Sequence, residues 1–297
     1  MINVKWKKVS VIIPTLDRSE VLIDTLNNLL RQDYPDFEII VVDQTENQKK
    51  AVLDFISRNA NIKYLKLQQK SLPNARNAGV EKSTGEIVLF VDDDVEIRDK
   101  QFISHHANNY FEHKIGLVGG RVIYDWLENK RFPLVGRFLI FGLIEITNFN
   151  ANSRAKIDHA PGGNFSCLKT VYQQVGGFSM LYKGSAHMEE TDFCFRVRRA
   201  GYKLFFEPKA VLKHLQFSSG GCRVLDIYDL RYWLVHNYIF FYLRNFSKIL
   251  FPLAFVREYF WCVFSSLKRM DIKMYQTMTK AIFDGVKYFR TIKKEQI

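Results

Sequence analysis

Asp92-Asp93-Asp94 is the densest group of reactive side chains in the chain, and it follows directly on the apolar run Ile87-Val-Leu-Phe-Val91. Crowded carboxylates oppose one another's ionisation. A divalent cation removes that conflict. Mg²⁺ and Mn²⁺ are hard ions that take oxygen ligands, often one or two carboxylates completed by substrate phosphates. The triplet therefore points to a metal and a phosphorylated ligand, with a solvated acidic turn as the other reading. A second carboxylate, Asp43, ends the buried-strand pattern Phe37–Val42. A third acidic group, Glu189, Glu190 and Asp192, falls at the start of a helical pattern in which Phe193, Val197 and Ala200 recur. Acids at a helix N-terminus are stabilised by the dipole at roughly 0.3–1 kcal/mol each, whatever else they do. Arg76 and Asn77 lie near the start of a short helix opened by Pro73. An Arg there either holds a phosphate bidentately or covers an exposed face.

These groups need elements to hold them. Val9–Ile13 reads as a first strand, followed by the loop Pro14-Thr15-Leu16-Asp17-Arg18. Asp17 and Glu20 have capping-box spacing for the next helix, whose apolar face is Val21, Leu22, Thr25, Leu26, Leu29 and Leu30. Strands at Phe37–Val42, Ile62–Leu67 and Ile87–Val91 alternate with helices at about 48–58 and after Pro73. The predicted fold class is α/β, a doubly wound, mostly parallel sheet with helices on both faces. Asp43 and Asp92–Asp94 then share the carboxyl edge of the sheet, where such folds bind ligands. A helix over Thr191–Ala200 ends at Gly201, which suits the C′ position. His214 follows the strand-like Ala210–Lys213.

With 297 residues, 47% hydrophobic and 25% charged, the chain has room for a large α/β domain and an appendage. Cys167, Cys194, Cys222 and Cys262 have no paired spacing, which argues against a metal cluster or disulfide framework and for a reducing compartment. Val9–Ile13 is too short for a signal peptide, and Pro14 ends it. The net charge is +12, and residues from Val224 onward carry twelve Lys/Arg against six Asp/Glu. That basic tail also holds the aromatic run Tyr232–Leu243 and Tyr259–Phe264. Charges interrupt each candidate span, so no transmembrane helix is predicted. The pattern fits an interfacial helix pair on an anionic leaflet rather than nucleic acid, or helices packed on the main domain. The weakly patterned segment 126–158 is open between core, substrate lid and interfacial segment.

Five motifs, in order and at similar spacing, give the chain a family resemblance. Ser10-Val-Ile-Ile-Pro-Thr15, Ile39-Ile-Val-Val-Asp43, Ala75-Arg-Asn-Ala-Gly79 and Phe90-Val-Asp-Asp-Asp94 resemble family 2 glycosyltransferases. Gly162-Gly-Asn-Phe-Ser166 with Val175-Gly-Gly-Phe178 resembles the acceptor-side segment, and Glu189–Arg196 with Arg199-Ala-Gly-Tyr202 the catalytic segment. The resemblance covers about 9–219. It implies a GT-A fold over 1–223, with a nucleotide-binding part to about 123 and an acceptor part over 124–223, and a separate helical region at 224–297.

It further implies transfer of a sugar from a nucleotide donor with inversion. Asp43 would bind the donor base, with Pro14, Thr15, Arg18, Arg76, Asp92 and Asp93 in the donor site. Asp94, Asp92 and His214 would hold Mn²⁺ or Mg²⁺. Gly163 and Asn164 would lie on the acceptor side. Glu190 would be the general base, supported by Glu189 and Asp192. Two motifs depart from the common pattern: Asp43-Gln44-Thr45 lacks a second Asp and Gly-Ser, and Glu189-Glu190 stands where many relatives have Glu-Asp. The chemistry matches these residue types. A cation and an Arg stabilise the leaving nucleoside diphosphate, and the acceptor hydroxyl needs a carboxylate within about 3 Å. The expected partners are a UDP- or dTDP-sugar, a glycan or lipid-linked acceptor and a peripheral membrane surface, with the protein at the cytoplasmic face of the cell membrane. A sugar nucleotidyltransferase built on the triad, or a non-catalytic membrane-bound relative, are the competing readings.

Overall fold

The computed structural model describes residues 6–125, 134–217, 219–221, 224 and 226–295. The expected Trp126–Phe132 part of the long insertion lies outside the described residues. The chain forms two compact units, one of Met1–Arg137, Thr147–Phe178 and Phe193–Cys222, the other of Phe138–Ile146, Ser179–Asp192 and Arg223–Ile297.

The first unit is built on β1 (Val9–Thr15), α1 (Ser19–Leu30), β2 (Phe37–Asp43), α2 (Lys50–Ser57), β3 (Ile62–Lys66), α3 (Leu72–Lys82), β4 (Ile87–Val91), β5 (Val95–Glu96), α4 (Phe102–Ala107) and β6 (Ile115–Ile123). After the short β7 (Arg137–Leu139) and β8 (Ile144–Ile146) come β9 (Ala155–Lys156), β10 (Asn164–Leu168), α5 (Lys169–Gln174), α6 (Glu189–Arg199) and β11 (Lys203–His214). Among the described residues one sheet runs β3-β2-β1-β4-β10-β6-β11-β5, with β9 on β11. Strands β3, β2, β1 and β4 are parallel, and β10 runs antiparallel to both β4 and β6.

Alternation along the pleat divides the core. Val9, Val11 and Ile13 pack on one side with Leu22, Leu26 and Leu29 of α1. Ile12, Ile40 and Val42 pack on the other with Ala75 and Val80 of α3. Burial of both faces explains why these strands read as mainly apolar, with buried Ser10 and Glu38 as polar exceptions near their amino ends. Cβ-free Gly79 is part of this packing, since a Cβ there would lie 2.5 Å from Ile12 Cγ2. Helix α3 starts as expected, with Pro73 in its first turn and the Ser71 hydroxyl accepting from Asn74 N–H. The expected capping box of α1 does not form. Arg18 is the N-cap, no side chain caps the helix, and Asp17 takes a left-handed φ of 54°. Asp17 N–H donates instead to the Thr45 hydroxyl at 2.8 Å. Gly201 ends α6 at φ 91°, as the C′ reading requires.

The second unit centres on α7 (Ile227–Asn245), α8 (Phe251–Arg269) and α9 (Ile272–Glu295). Asp226 caps α7 by accepting from Tyr228 and Asp229 N–H at 2.9 Å each. The aromatic run is its core: Val235 to Leu243 are all buried, with Phe240, Phe241 and Tyr242 among the largest buried side chains. The buried stretch Val235–Leu243 of this half of the expected interfacial pair is thus interior, while Ile227–Leu234 are exposed or partly exposed. Helix α8 differs. Ala254, Glu258, Cys262 and Ser266 form its buried face at a spacing of four, and Phe260, Phe264 and Leu267 stand 66–69% exposed on the opposite one. The span Lys248–Arg269 is 22 residues with mean hydropathy 1.3, long and apolar enough to cross a membrane by length and composition alone. The charges that interrupt it in sequence, Arg257 and Glu258, pair with each other.

Candidate active site

In the first unit, β4 delivers its three carboxylates to three different environments. Asp93 is almost wholly buried and acts as an anchor. It accepts from the Thr15 hydroxyl at 2.6 Å and from Arg18 Nη1 at 2.8 Å. Burial pushes its carboxyl up to about 6, against the pull of Arg18 and Thr15, and Asp94 adds to the rise. Asp94 is fully buried; Arg18 Nη1 lies 3.1 Å from Oδ1, and Phe217 N–H donates to Oδ2 at 2.9 Å. Asp92 keeps about a third of its side chain exposed. Burial opposes its charge, but His214, Arg76 and Arg18 outweigh that and hold its carboxyl below the usual range.

His214 enters this cluster from the far end of β11. Antiparallel pairing of β11 with β5 sets His214 opposite Val95, and Leu215 N–H donates to the Asp94 carbonyl at 2.9 Å. Its Nε2 lies 3.2 Å from Asp94 Oδ1 and 3.5 Å from Asp92 Oδ2. Burial works against the imidazolium, yet hydrogen bonding and charge from Asp92 and Asp94 raise it to about 9. The ring edge of Tyr124 packs on His214 at 5.6 Å. One ligand atom from each of Asp92, Asp94 and His214 falls within 4.8 Å of the others. Asp94 Oδ1 is buried between Arg18 Nη1 at 3.1 Å and His214 Nε2 at 3.2 Å, with no well-aligned hydrogen bond from either. Two carboxylate oxygens and an imidazole nitrogen suit Mn²⁺ or Mg²⁺, so these residues fit such an ion.

The other expected donor-side residues brace this edge. Pro14 is buried in β1 opposite Val42. Arg18 also donates from Nε to the Ser219 carbonyl at 3.0 Å. Arg76 is 3% exposed, donates to the Gly162 carbonyl at 2.7 Å and lies 4.0 Å from Asp92. Asp43 is buried, and its carboxylate accepts from Tyr64 hydroxyl at 2.6 Å, Thr45 N–H at 2.8 Å and Gln48 Nε2 at 3.2 Å.

On the expected acceptor side, Gly163 and Asn164 behave differently from each other. A Cβ on Gly163 would lie 2.0 Å from Asp92 Oδ2, so glycine is what lets β10 approach the carboxylate. Asn164 has no exposed surface. Its Nδ2 donates to the Arg121 and Ala210 carbonyls at 2.9 and 3.0 Å, tying β10 to β6 and β11. Its Oδ1 meets His106 Nε2 at 2.9 Å. His106, which has no marked sequence context, is buried and reaches Ser166 from Nδ1 at 3.1 Å. Burial drives its imidazole down to about 4 despite the Asn164 bond, so it is neutral near pH 7.

The second unit holds the acidic start of α6. Ala186 and Met188 take left-handed φ values of 55° and 72° just before it, and Asp192 N–H donates to the Met188 carbonyl at 2.9 Å. Glu189 and Asp192 are fully buried, while Glu190 is partly exposed. Asp192 accepts from Asn245 Nδ2 at 3.0 Å and faces Arg244 Nε at 3.4 Å. It anchors the segment that carries Glu190. Glu145 of β8 is the carboxylate that no sequence pattern marks. Burial and the charge of Glu190 together raise its carboxyl to about 7, against the pull of Arg257.

Comparisons with known proteins agree with this fold. Glucosyl-dolichyl phosphate glucuronosyltransferase of Haloferax volcanii is 26% identical over 221 residues, covering 71% of this chain and 70% of its own length. The GalNAc(5)-diNAcBac-PP-undecaprenol beta-1,3-glucosyltransferase of Campylobacter jejuni is 34% identical over 115 residues, 37% of each chain. Among solved structures, Staphylococcus aureus TarS 1–349 with UDP-GlcNAc has a TM-score of 0.65 at 18% identity, covering 95% of this chain and 81% of that one. The mannosyltransferase PcManGT of Pyrobaculum calidifontis, in complex with GDP-Man and Mn²⁺, has a TM-score of 0.60 at 16% identity, covering 95% and 76%. Both support the GT-A architecture. The model of Glycosyl transferase family 2 matches residues 10–176, more than half of the 297, and the chain therefore belongs to that family of glycosyltransferases.

Proposed function

We propose that this protein is a metal-dependent, inverting glycosyltransferase that moves a sugar from a nucleoside-diphosphate sugar to a hydroxyl of a glycan or lipid-linked acceptor. The observation that carries the reading is the convergence of Asp92, Asp94 and His214 within 4.8 Å beside the carboxyl end of β4. The chemistry a bound Mn²⁺ or Mg²⁺ supplies there is positive charge for the departing diphosphate. Arg18 and Thr15 hold Asp93, and so the turn, in one geometry; preorganised charge needs no rearrangement as the bond breaks. Arg76 holds Asp92 and the Gly162 carbonyl. Glu190 takes the proton of the attacking hydroxyl, and the segment that carries it is fixed through Asp192 by Arg244 and Asn245. UDP and dTDP sugars remain the favoured donors, since Asp43 accepts from the N3–H that uracil and thymine share.

The names of two relatives, one with a dolichyl phosphate and one with an undecaprenol-linked substrate, support a lipid-linked acceptor. The apolar face of α8, flanked by Lys248, Lys268 and Arg269, supports attachment to the anionic inner face of a membrane. Incubation with nucleotide sugars and Mn²⁺ tests the enzyme reading. Release of nucleoside diphosphate, with a product of opposite anomeric configuration by NMR, is expected. Pyrophosphate release would indicate a nucleotidyltransferase, and neither product a non-catalytic protein. Phe260→Glu with Phe264→Glu should cut partitioning onto anionic vesicles at least tenfold; unchanged partitioning removes α8 as the contact.

A further inference from the structure

The second unit contains a cavity of about 390 Å³ that the donor chemistry does not use. Its wall includes Glu145, His187, Met188, Arg231, Tyr238 and Trp261. His187 and Met188 immediately precede Glu189-Glu190, so the segment that delivers the proposed base is itself part of the wall. We infer that this cavity is the acceptor subsite and that it receives a neutral pyranosyl unit, the sugar whose hydroxyl is glycosylated. The inference rests on Glu190 as base.

The chemistry of the lining carries the choice of ligand. A pyranose offers C–H groups on its ring faces and hydroxyls around its rim. Trp261 and Tyr238 supply aromatic surface for the faces. Arg231 and Glu145 supply a donor and an acceptor for the rim, and His187 a neutral ring, since burial lowers its imidazole to about 4. The aromatic groups are held in place. The Arg231 guanidinium carbon lies 5.5 Å from the Trp261 ring centre, and that of Arg257 lies 4.5 Å from the Tyr238 ring centre. Tyr238 hydroxyl donates to the Gly142 carbonyl at 3.0 Å, and Arg257 donates to the Leu143 carbonyl, which fixes the start of β8 and with it Glu145. Charge argues against an anionic ligand. Arg231 and Arg257 are matched by Glu145 and Glu258, and Arg257 is already paired with Glu258. The volume lies within the usual range of small-ligand sites.

The test uses the full chain with methyl glycosides of glucose, N-acetylglucosamine, galactose and mannose. Saturation-transfer NMR should detect ring-proton contact for at least one of them. Trp261→Ala and the cavity-filling Leu234→Trp should each weaken that glycoside at least tenfold, while Trp261→Phe retains it within about threefold. Binding of UDP or dTDP with Mn²⁺ should change less than twofold in all three, which also verifies folding. Binding of none of the four glycosides, or binding that survives both Trp261→Ala and Leu234→Trp, overturns the inference. The two readings fail separately. Glycoside binding that depends on Trp261, together with full transfer by Glu190→Gln, would retain the cavity as a sugar site and remove Glu190 as the base that it serves. Normal release of nucleoside diphosphate with no glycoside bound would remove only the cavity.

Discussion

The two acidic clusters handle the same electrostatic difficulty in different ways. At the end of β4, three consecutive carboxylates are surrounded by cations supplied from afar in sequence, Arg18, Arg76 and His214. Hydrogen bonds from Thr15 and Phe217 fix the carboxylates further. At the start of α6, Glu189 and Asp192 are buried, Asp192 faces Arg244, and Glu190 stays partly exposed with Glu145 as a nearby like charge. Cations around a buried cluster oppose the loss of its charge, as His214, Arg76 and Arg18 do for Asp92, and such a cluster suits binding of a cation and a phosphate. Beside Glu190, burial and the charge of Glu190 raise the proton affinity of Glu145, surroundings that suit the proton transfer proposed there. On the proposed reading, the difference in surroundings, not in residue type, separates charge stabilisation from base catalysis.

The sharpest way to break that division is Glu190→Gln. The amide is nearly isosteric but cannot take a proton, so kcat should fall by on the order of 10²–10⁴ with nucleotide affinity unchanged. Steady-state kinetics with calorimetry of UDP or dTDP binding checks both. Glu189→Gln is the control, and loss of turnover there with an active Glu190→Gln would move the base by one residue. If both remain active, Asp192 becomes the candidate.

Asp94→Ala should affect the other side of the comparison. We expect kcat/KM to fall on the order of 10²–10³ and Mn²⁺-dependent nucleotide binding to disappear, with the circular dichroism spectrum retained. Nucleotide binding equally strong with and without Mn²⁺, at the wild-type level, would show that the cluster holds no metal.

Arg244→Ala removes the guanidinium facing buried Asp192. Urea unfolding should reveal a loss of about 3 kcal/mol, while binding of UDP or dTDP with Mn²⁺ stays within twofold. An equal loss of nucleotide affinity would show that the two clusters are not independent.

Glu38 sharpens the comparison from outside both clusters, since it lies near the amino end of β2. Burial opposes its charge, but Lys63, Ser10 and Thr84 outweigh that and lower its carboxyl to about 2 from an ordinary 4.5. Its contribution is therefore complete above pH 4.5 and is lost as the pH falls toward 2. Glu38→Gln should cost about 2 kcal/mol at pH 6 and almost nothing near pH 2, measured by denaturant unfolding across that range. A constant difference across that range would remove the ionised Glu38 as the cause.

Much of this protein is local in origin, and so was readable from the chain. Strands β1, β2 and β4 are mainly apolar because both faces are buried. Helix α3 opens at Pro73, and α6 closes at Gly201, because φ restrictions act on single residues. The triplet Asp92–Asp94 is adjacent in sequence, and a strand end is enough to bring its members together. Tertiary structure decided the rest. His214 reaches the triplet only through the pairing of β11 with β5. Asp17 loses its capping role because its left-handed backbone turns its N–H toward Thr45. Asn164 becomes an internal brace through β6, β11 and His106. Glu145 joins the environment of Glu190 across more than forty residues of sequence, and the aromatic run of α7 becomes core because α8 and α9 pack around it. Periodicity and caps report interactions over a few residues; strand register and helix packing bring distant residues together, and no local pattern encodes which ones.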